Sequence, residues 1–84
     1  MNNVYILQSL KNGRYYIGCT SDLKSRLVKH NKGHVLSTRP YRPWRLVYQE
    51  RYNTLSAARK RENQIKSWHK RAAIEKLIRG PDHG

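Results

Sequence analysis

Residues 3–20, NVYILQSLKNGRYYIGCT, decide the fold. The run from Asn3 to Ser9 is rich in Val, Tyr, Ile and Leu, as in a buried strand, and a second short apolar run extends from Tyr15 to Cys19. The Asn12-Gly13 pair between them is a strong hairpin signal, because both residues tolerate positive φ. This stretch therefore predicts two antiparallel strands joined by a tight loop.

The length of that loop decides which side chains meet. Any even-numbered loop places Tyr5 on the same sheet face as Tyr16 and Gly18, because side chains alternate between the faces of a strand. A two-residue loop would keep the tyrosines far apart, whereas a four-residue loop would set Gly18 opposite Tyr5, with Tyr16 diagonal to it at roughly 7 to 8 Å. The same residues also fit two ordinary half-buried strand tyrosines and a glycine bend.

The rest of the chain predicts one more strand and three helices, whose ends are marked by capping side chains, glycines and prolines. In chain order we expect a helix from about Asp22 to Asn31, a loop over residues 34–43, a strand from Trp44 to Glu50, a helix capped by Thr54, and a helix from about His69 to Arg79 that ends against Gly80-Pro81. The order β-β-α-β-α-α predicts a single α+β domain over residues 1–80, its sheet covered by helices, with a short tail at 81–84.

Charge gives the first indication of function. The 84 residues carry 18 Lys plus Arg against 5 Asp plus Glu, a formal net charge of +13. A polyanion balances such an excess most naturally, which favours nucleic acid as the partner over a membrane, since no segment approaches the roughly 18 apolar residues of a membrane span. The single Cys19 excludes an intramolecular disulfide and a multi-cysteine zinc site. The N-terminus predicts no signal peptide, so we expect a cytoplasmic protein that is a monomer or a weak dimer.

The first predicted helix carries two side chains of chemical interest. Arg26 and His30 lie four residues apart and therefore share a face. A solvated basic face is one interpretation; the other is a phosphate-gripping arginine beside a histidine that moves or orients a proton. A metal pair of His30 with His34 is not expected, because Gly33 should end the helix between them.

Glu62 occupies an unusual position on the second predicted helix. It falls on the apolar stripe with Ala58 and Ile65, where an unpaired carboxylate is costly to keep ionised. It is either a partly buried glutamate neutralised by a neighbouring Arg or Lys, or a ligand for a cation. One carboxylate with waters and substrate phosphate is a normal Mg²⁺ arrangement in phosphoryl-transfer sites.

Together these residues resemble a known family. Val4-Tyr5, then Tyr16-Ile17-Gly18, then Arg26, His30 and Glu62 closely resemble the GIY-YIG nuclease domain, especially its small stand-alone bacterial members. The resemblance runs from about Asn3 to Ile78 and implies a three-stranded antiparallel sheet flanked by helices.

The resemblance also implies roles for these side chains. Tyr5 would be the general base or orienter for the attacking water, and Tyr16 with Gly18 would line the site near the scissile phosphate. Arg26 would contact that phosphate, while His30 would assist proton movement through a tyrosine. Glu62 would bind a single divalent ion, Mg²⁺ or Mn²⁺.

This sequence departs from the family pattern at two places. The first half-motif reads Asn3-Val4-Tyr5 and lacks its glycine, and the stretch from Ala72 to Arg79 lacks the asparagine that many members carry after the acidic residue. We expect no added DNA-binding module, so that capture of nucleic acid would depend on basic side chains of the domain itself. The candidates are Lys24, Lys29, Arg59, Arg61, Lys66, Lys70 and Arg71.

The expected function is a metal-dependent endonuclease that cuts single-stranded or structured DNA with low sequence specificity, in repair or recombination. The alternative is a non-catalytic module that binds nucleic acid and retains an inactive nuclease site. A protein associated with folded RNA is a more distant option.

Overall fold

A computed structural model describes residues 1–80 as an α+β domain. Its elements in chain order are β1 (Asn2–Ser9), β2 (Tyr15–Thr20), α1 (Leu23–Lys32), a short 3-10 helix (Arg39–Tyr41), β3 (Trp44–Tyr52), α2 (Leu55–Lys66) and α3 (Arg71–Arg79). The predicted order β-β-α-β-α-α and the fold class are confirmed.

The three strands form one antiparallel sheet in the order β2-β1-β3. β1 is central because it is the most apolar strand and its burial is nearly complete from Val4 to Leu7. The hairpin loop has four residues, closed by a hydrogen bond from Ser9 N to Arg14 O of 2.8 Å. Gly13 has φ 78°, a left-handed conformation that glycine adopts readily.

The two faces of the sheet are covered by different helices. Val4 and Ile6 face α2 and α3, where they pack with Ala58 and Ile65. The alternate residues of β1 form a second cluster that packs with α1 and the loop before β3. Its buried members are Tyr5, Leu7 and Trp44. The polar side chain of Tyr5 is thus held in an otherwise apolar layer between β1 and α1.

Several helix and strand ends differ slightly from the sequence prediction. Asp22 is the N-cap of α1, where its side chain accepts a 3.1 Å hydrogen bond from Ser25 N, and Gly33 ends the helix at φ 80°. α3 begins at Arg71 because His69 has φ 53°, which no helix accommodates. β3 continues to Tyr52 because it stays paired with Asn2 of β1. The predicted tail at 81–84, with Pro81, lies outside the described residues.

Within residues 1–80, none of the helices combines the length and the apolar character that crossing a membrane requires.

Candidate active site

Tyr5 and Gly18 form the closest contact of the site. They are paired directly across β1 and β2, and Leu7 is paired with Tyr16, so the four-residue loop gives the register predicted for it. A Cβ built on Gly18 would lie 2.5 Å from Cζ of Tyr5. The absence of a side chain at position 18 therefore lets the Tyr5 ring cross over β2. Only 1% of Tyr5 is exposed to solvent.

His30 lies beneath the two tyrosines and is completely buried. Its Nε2 is 3.0 Å from the Tyr5 hydroxyl, and its Nδ1 is 2.8 Å from Oγ1 of Thr38. The imidazole also meets Tyr16 edge to face at 4.9 Å between ring centroids. Burial first, and then repulsion by Arg26, lower the pKa of His30 to about 4. The ring is therefore neutral at pH 7 and has one nitrogen with a free lone pair.

Arg26 and Tyr16 lie nearer the surface and are both partly exposed. Tyr16 and Tyr5 have their ring centroids 6.3 Å apart. Hydrogen bonding to Tyr5 raises the pKa of Arg26 above its ordinary value. Burial raises the pKa of Tyr5 to about 12, while Arg26 opposes that rise. A permanent cation and a protonated phenol thus stand side by side at the edge of the buried layer.

Glu62 approaches the site from the other face of the sheet. It lies on α2, and its charge is felt both at the Tyr5 hydroxyl and at Cys19 of β2, where it helps to raise the pKa of each group. Its side chain is 15% exposed, and Oε2 is 2.7 Å from Nζ of Lys66. The site therefore straddles the β2 edge, with Glu62 on one side and the Tyr5 hydroxyl on the other.

The described residues do not form an all-protein metal cage. Within residues 1–80 there is no group of three or more His, Cys, Asp or Glu side chains that could hold a metal ion. Glu62 still fits a magnesium site of the one-carboxylate type, because a hard cation takes its remaining oxygens from water and phosphate. Lys66 is about half exposed, so its ammonium can leave the carboxylate without disrupting packing.

The structure separates the predicted nucleic-acid-binding residues into two groups. Arg61 is held by Glu50 at 3.0 Å and lies over the ring of Trp68, so it is already engaged within the protein. Arg71 donates to Gly13 O at 2.9 Å, which fixes α3 to the hairpin loop, yet it remains exposed. The other exposed members of the set are Lys24, Lys29, Arg59, Lys66 and Lys70.

Besides Lys66, which contacts Glu62, Arg59 is a basic residue of this set that lies beside the site. It lies close enough to Cys19 to oppose the rise in the pKa of the thiol that burial causes. Cys19 follows Gly18 in β2, so Arg59 flanks the same strand edge as Glu62. A polyanion bound there would meet Arg59 and Arg26 on opposite sides of the sheet edge.

Sequence reasoning missed Thr38 and the role of Glu50. Thr38 lies in the segment 34–43, which the sequence predicts only as a loop, and its contact with His30 joins positions eight residues apart. The Glu50 carboxylate accepts hydrogen bonds from Tyr48, Tyr52 and Arg61. Burial acts to raise the pKa of Glu50, but these hydrogen bonds outweigh it and lower the pKa below its ordinary value. The sequence offered one signal for this cluster: Glu50 is spaced two residues from each of the two tyrosines, so all three side chains lie on the same face of β3.

Comparison with known proteins identifies the family of the chain. The GIY-YIG catalytic domain matches residues 1–76 of the chain. A UPF0213 protein from Staphylococcus saprophyticus is 37% identical over 78 residues, which are 92% of this chain and 94% of the relative. A UPF0213 protein from Staphylococcus aureus is 44% identical over 66 residues, 77% of this chain and 79% of the relative.

A solved structure shows the same fold. The solution NMR structure of the UPF0213 protein BH0048 from Bacillus halodurans is 35% identical in sequence and aligns with a TM-score of 0.59, covering 96% of this chain and 89% of that one. Since the domain match covers residues 1–76 and the UPF0213 relatives align over most of the chain, the chain belongs to the GIY-YIG nuclease family.

Proposed function

We propose that this domain is a Mg²⁺- or Mn²⁺-dependent endonuclease that hydrolyses phosphodiester bonds in single-stranded or structured DNA with low sequence specificity, in repair or recombination. The observation that carries the proposal is the buried hydrogen bond of 3.0 Å between the Tyr5 hydroxyl and His30 Nε2, with Arg26 beside it. An apolar pair such as Phe and Leu would stabilise the fold about as well as this buried polar pair. The polar pair therefore favours a chemical role.

The proposed base is Tyr5 acting together with His30. A pKa of about 12 makes a free Tyr5 phenolate rare at neutral pH. Tyr5 therefore takes the proton of the attacking water as it passes its own proton to His30 Nε2, so that no isolated phenolate forms. Because Tyr5 is 1% exposed, water reaches its hydroxyl on the side flanked by the partly exposed Tyr16 and Arg26.

Arg26 is the proposed phosphate ligand. Its guanidinium has a fixed fork of donors and stays charged at all relevant pH values. Its position beside the Tyr5 hydroxyl supports its assignment to the non-bridging oxygens of the scissile phosphate. Donors placed in advance at developing negative charge are worth about 10² to 10³ in rate in other enzymes.

Glu62 is the proposed metal ligand, after displacement of Lys66. A divalent ion held by this carboxylate would supply Lewis-acid stabilisation of the leaving oxygen. Glu62 makes the smallest contribution to the raised pKa of Tyr5, which supports a metal and a base that act on one phosphate. Lys66 is paired with the carboxylate at 2.7 Å until the exchange occurs.

The test compares purified variants on labelled single-stranded, duplex and flapped DNA, with Mg²⁺, with Mn²⁺ and with chelator. Tyr5→Phe keeps the ring and removes the hydroxyl, and we expect a loss of about 10² to 10⁴ in kcat, the usual worth of a positioned base. Glu62→Gln should abolish metal-dependent cleavage. The matched control is Glu75→Gln, which removes an exposed carboxylate paired with Arg71 at 3.8 Å. Cleavage that persists in chelator and in both site variants would refute the proposal.

A specific observation favours a second candidate, a binding-only module. Lys66 already neutralises Glu62, and the sequence lacks an asparagine between Ala72 and Arg79. This candidate predicts DNA binding that survives Glu62→Gln, with no cleavage under either metal. Lys66→Gln separates the two, because freeing the carboxylate should strengthen metal binding and cleavage in an enzyme and change neither in a binding module.

A further inference from the structure

Thr38 is a buried polar residue outside the motif that defines the family. Only 1% of it is exposed, and it lies in the segment between α1 and β3. Its hydroxyl is 2.8 Å from His30 Nδ1 and 3.3 Å from the carbonyl of Val35. A threonine hydroxyl has one proton to donate and accepts at its lone pairs. With that proton directed to Val35, Oγ1 is an acceptor for an N–H at Nδ1.

The contacts of the other ring nitrogen, Nε2, favour the same tautomer, with the proton on Nδ1. Arg26 has donors only, so it can receive no proton from the Tyr5 hydroxyl beside it. Within the buried cluster, His30 Nε2 lies 3.0 Å from the phenol oxygen and can accept its proton. If Nε2 carried the proton instead, donors from Arg26 and His30 would converge on one oxygen, and the phenol proton would have to turn away from the cluster.

We propose that Thr38 is a positioning residue that holds His30 in the Nδ1–H tautomer, so that Nε2 presents its lone pair to the Tyr5 hydroxyl. The inference rests on the proposed function and deepens it. It explains why a hydroxyl is buried in a segment otherwise lacking polar contacts to the site.

The backbone around Thr38 holds the hydroxyl in place. Its carbonyl accepts a 2.9 Å hydrogen bond from Trp44 Nε1 and one of 3.1 Å from Tyr41 N. Trp44 is in turn fixed by Asn31 of α1, which donates to Trp44 O and accepts from Trp44 N. The loop, the start of β3 and α1 are thus connected, and these bonds fix the backbone of Thr38, while its hydroxyl is oriented by its own contacts with His30 Nδ1 and Val35 O.

The tautomer has a defined part in the reaction. As the water oxygen bonds to phosphorus, its O–H bond breaks and the proton passes to Tyr5 Oη, while the original phenol proton passes to His30 Nε2. The phosphorus–oxygen bond to the leaving group breaks, and that oxygen takes a proton from solvent. The resulting imidazolium keeps its Nδ1–H bond to Thr38 and returns the extra proton to solvent through Tyr5.

The experiment measures the tautomer directly by NMR of protein labelled with ¹⁵N in histidine, with His30→Gln used to assign the His30 signals. In the wild type at pH 7 we expect a pyrrole-type Nδ1 and a pyridine-type Nε2. Thr38→Ser should keep this pattern. Thr38→Val, nearly the same in shape but unable to accept, should move His30 toward the Nε2–H form. Thr54→Val, which removes the capping hydroxyl of α2 remote from His30, is the control and should leave the tautomer unchanged.

Cleavage kinetics then separate positioning from simple support of the fold. Thr38→Val should lower kcat by about 10- to 100-fold, the usual effect of losing the partner that orients a working histidine, with little change in KM. Thr38→Ser should restore most of the rate. A wild-type spectrum with the proton on Nε2, or a Thr38→Val spectrum identical to it with unchanged kcat, would overturn the inference. If no metal supports cleavage, the proposed function fails, while the spectra still decide the role of Thr38.

Discussion

Replacing Gly18 with alanine tests the contact on which the site is built. A Cβ at this position would lie 2.5 Å from Cζ and 3.0 Å from Cε1 of Tyr5, closer than carbon atoms approach without displacement. Tyr5 cannot yield easily, because its ring is buried and its hydroxyl is bonded to His30. In an open strand the same substitution would stabilise the fold by about 0.5–1 kcal/mol, because alanine loses less conformational entropy on folding than glycine does.

The clash should reverse that sign. Forcing a group into a packed core costs about 1–3 kcal/mol. Displacing the Tyr5 ring also breaks its bond to His30, worth about 1 kcal/mol. We therefore expect Gly18→Ala to lower the free energy of unfolding by about 2–4 kcal/mol. For a domain of this size that is a fall in Tm of about 10–30 °C.

Urea unfolding followed by tyrosine and tryptophan fluorescence measures the change. The control is a double-mutant cycle with Tyr5→Leu, which removes Cζ and the hydroxyl, so that Gly18→Ala should then cost less than about 1 kcal/mol. DNA cleavage should fall in Gly18→Ala beyond the loss of folded protein, because Tyr5 is displaced from His30. A variant as stable as the wild type, or equal costs in both backgrounds, would refute the reasoning.

Three further predictions concern stability and are checked by urea unfolding. The pKa of His30 is about 4 in the folded protein, whereas a histidine in the unfolded chain has a pKa near 6.5. The free energy of unfolding should therefore fall by up to about 3 kcal/mol as the pH drops from about 6.5 to about 4. The His30→Gln variant should lack this decline. Glu50→Gln should cost about 1–3 kcal/mol by leaving the half-buried Arg61 without its anion, while the exposed Glu75→Gln should cost under about 0.5 kcal/mol; equal costs would count against the Glu50 cluster. Thr54→Ala should cost about 1 kcal/mol through loss of the 3.1 Å cap to Ala57 N, and an unchanged unfolding midpoint would show the cap to be dispensable.

The hairpin and the shared face of its side chains were predictable because they depend on local rules, whereas the sequence left the loop length, and with it the register, open between two and four residues. Asn12-Gly13 marks the turn, and alternation along two adjacent strands then places Tyr5, Tyr16 and Gly18 on one face. Helix ends were predicted within two residues for the same reason, since capping by Asp22 and Thr54 depends on near neighbours. The roles proposed for these side chains stay predictions until the variants are assayed.

Contacts between distant segments were beyond sequence reasoning. The sequence pattern did not assign the neighbour of β3, which the structure pairs with β1 rather than β2. It placed Arg61 among free basic residues, whereas the fold brings Glu50 to it from a different strand. It described residues 34–43 as a connection only, and burial of Thr38 depends on Trp44 closing over it.

The sequence by itself determined the elements, the tyrosine-bearing hairpin and the basic excess, because spacing along one strand or helix fixes which residues share a face. Tertiary structure alone decided how the site is assembled. Packing α1 against β1 buries His30 between Tyr5 and Thr38, and packing α2 on the other face brings the Glu62 charge to the β2 edge. Such proximity depends on the direction in which whole helices cross the sheet, which no local pattern specifies.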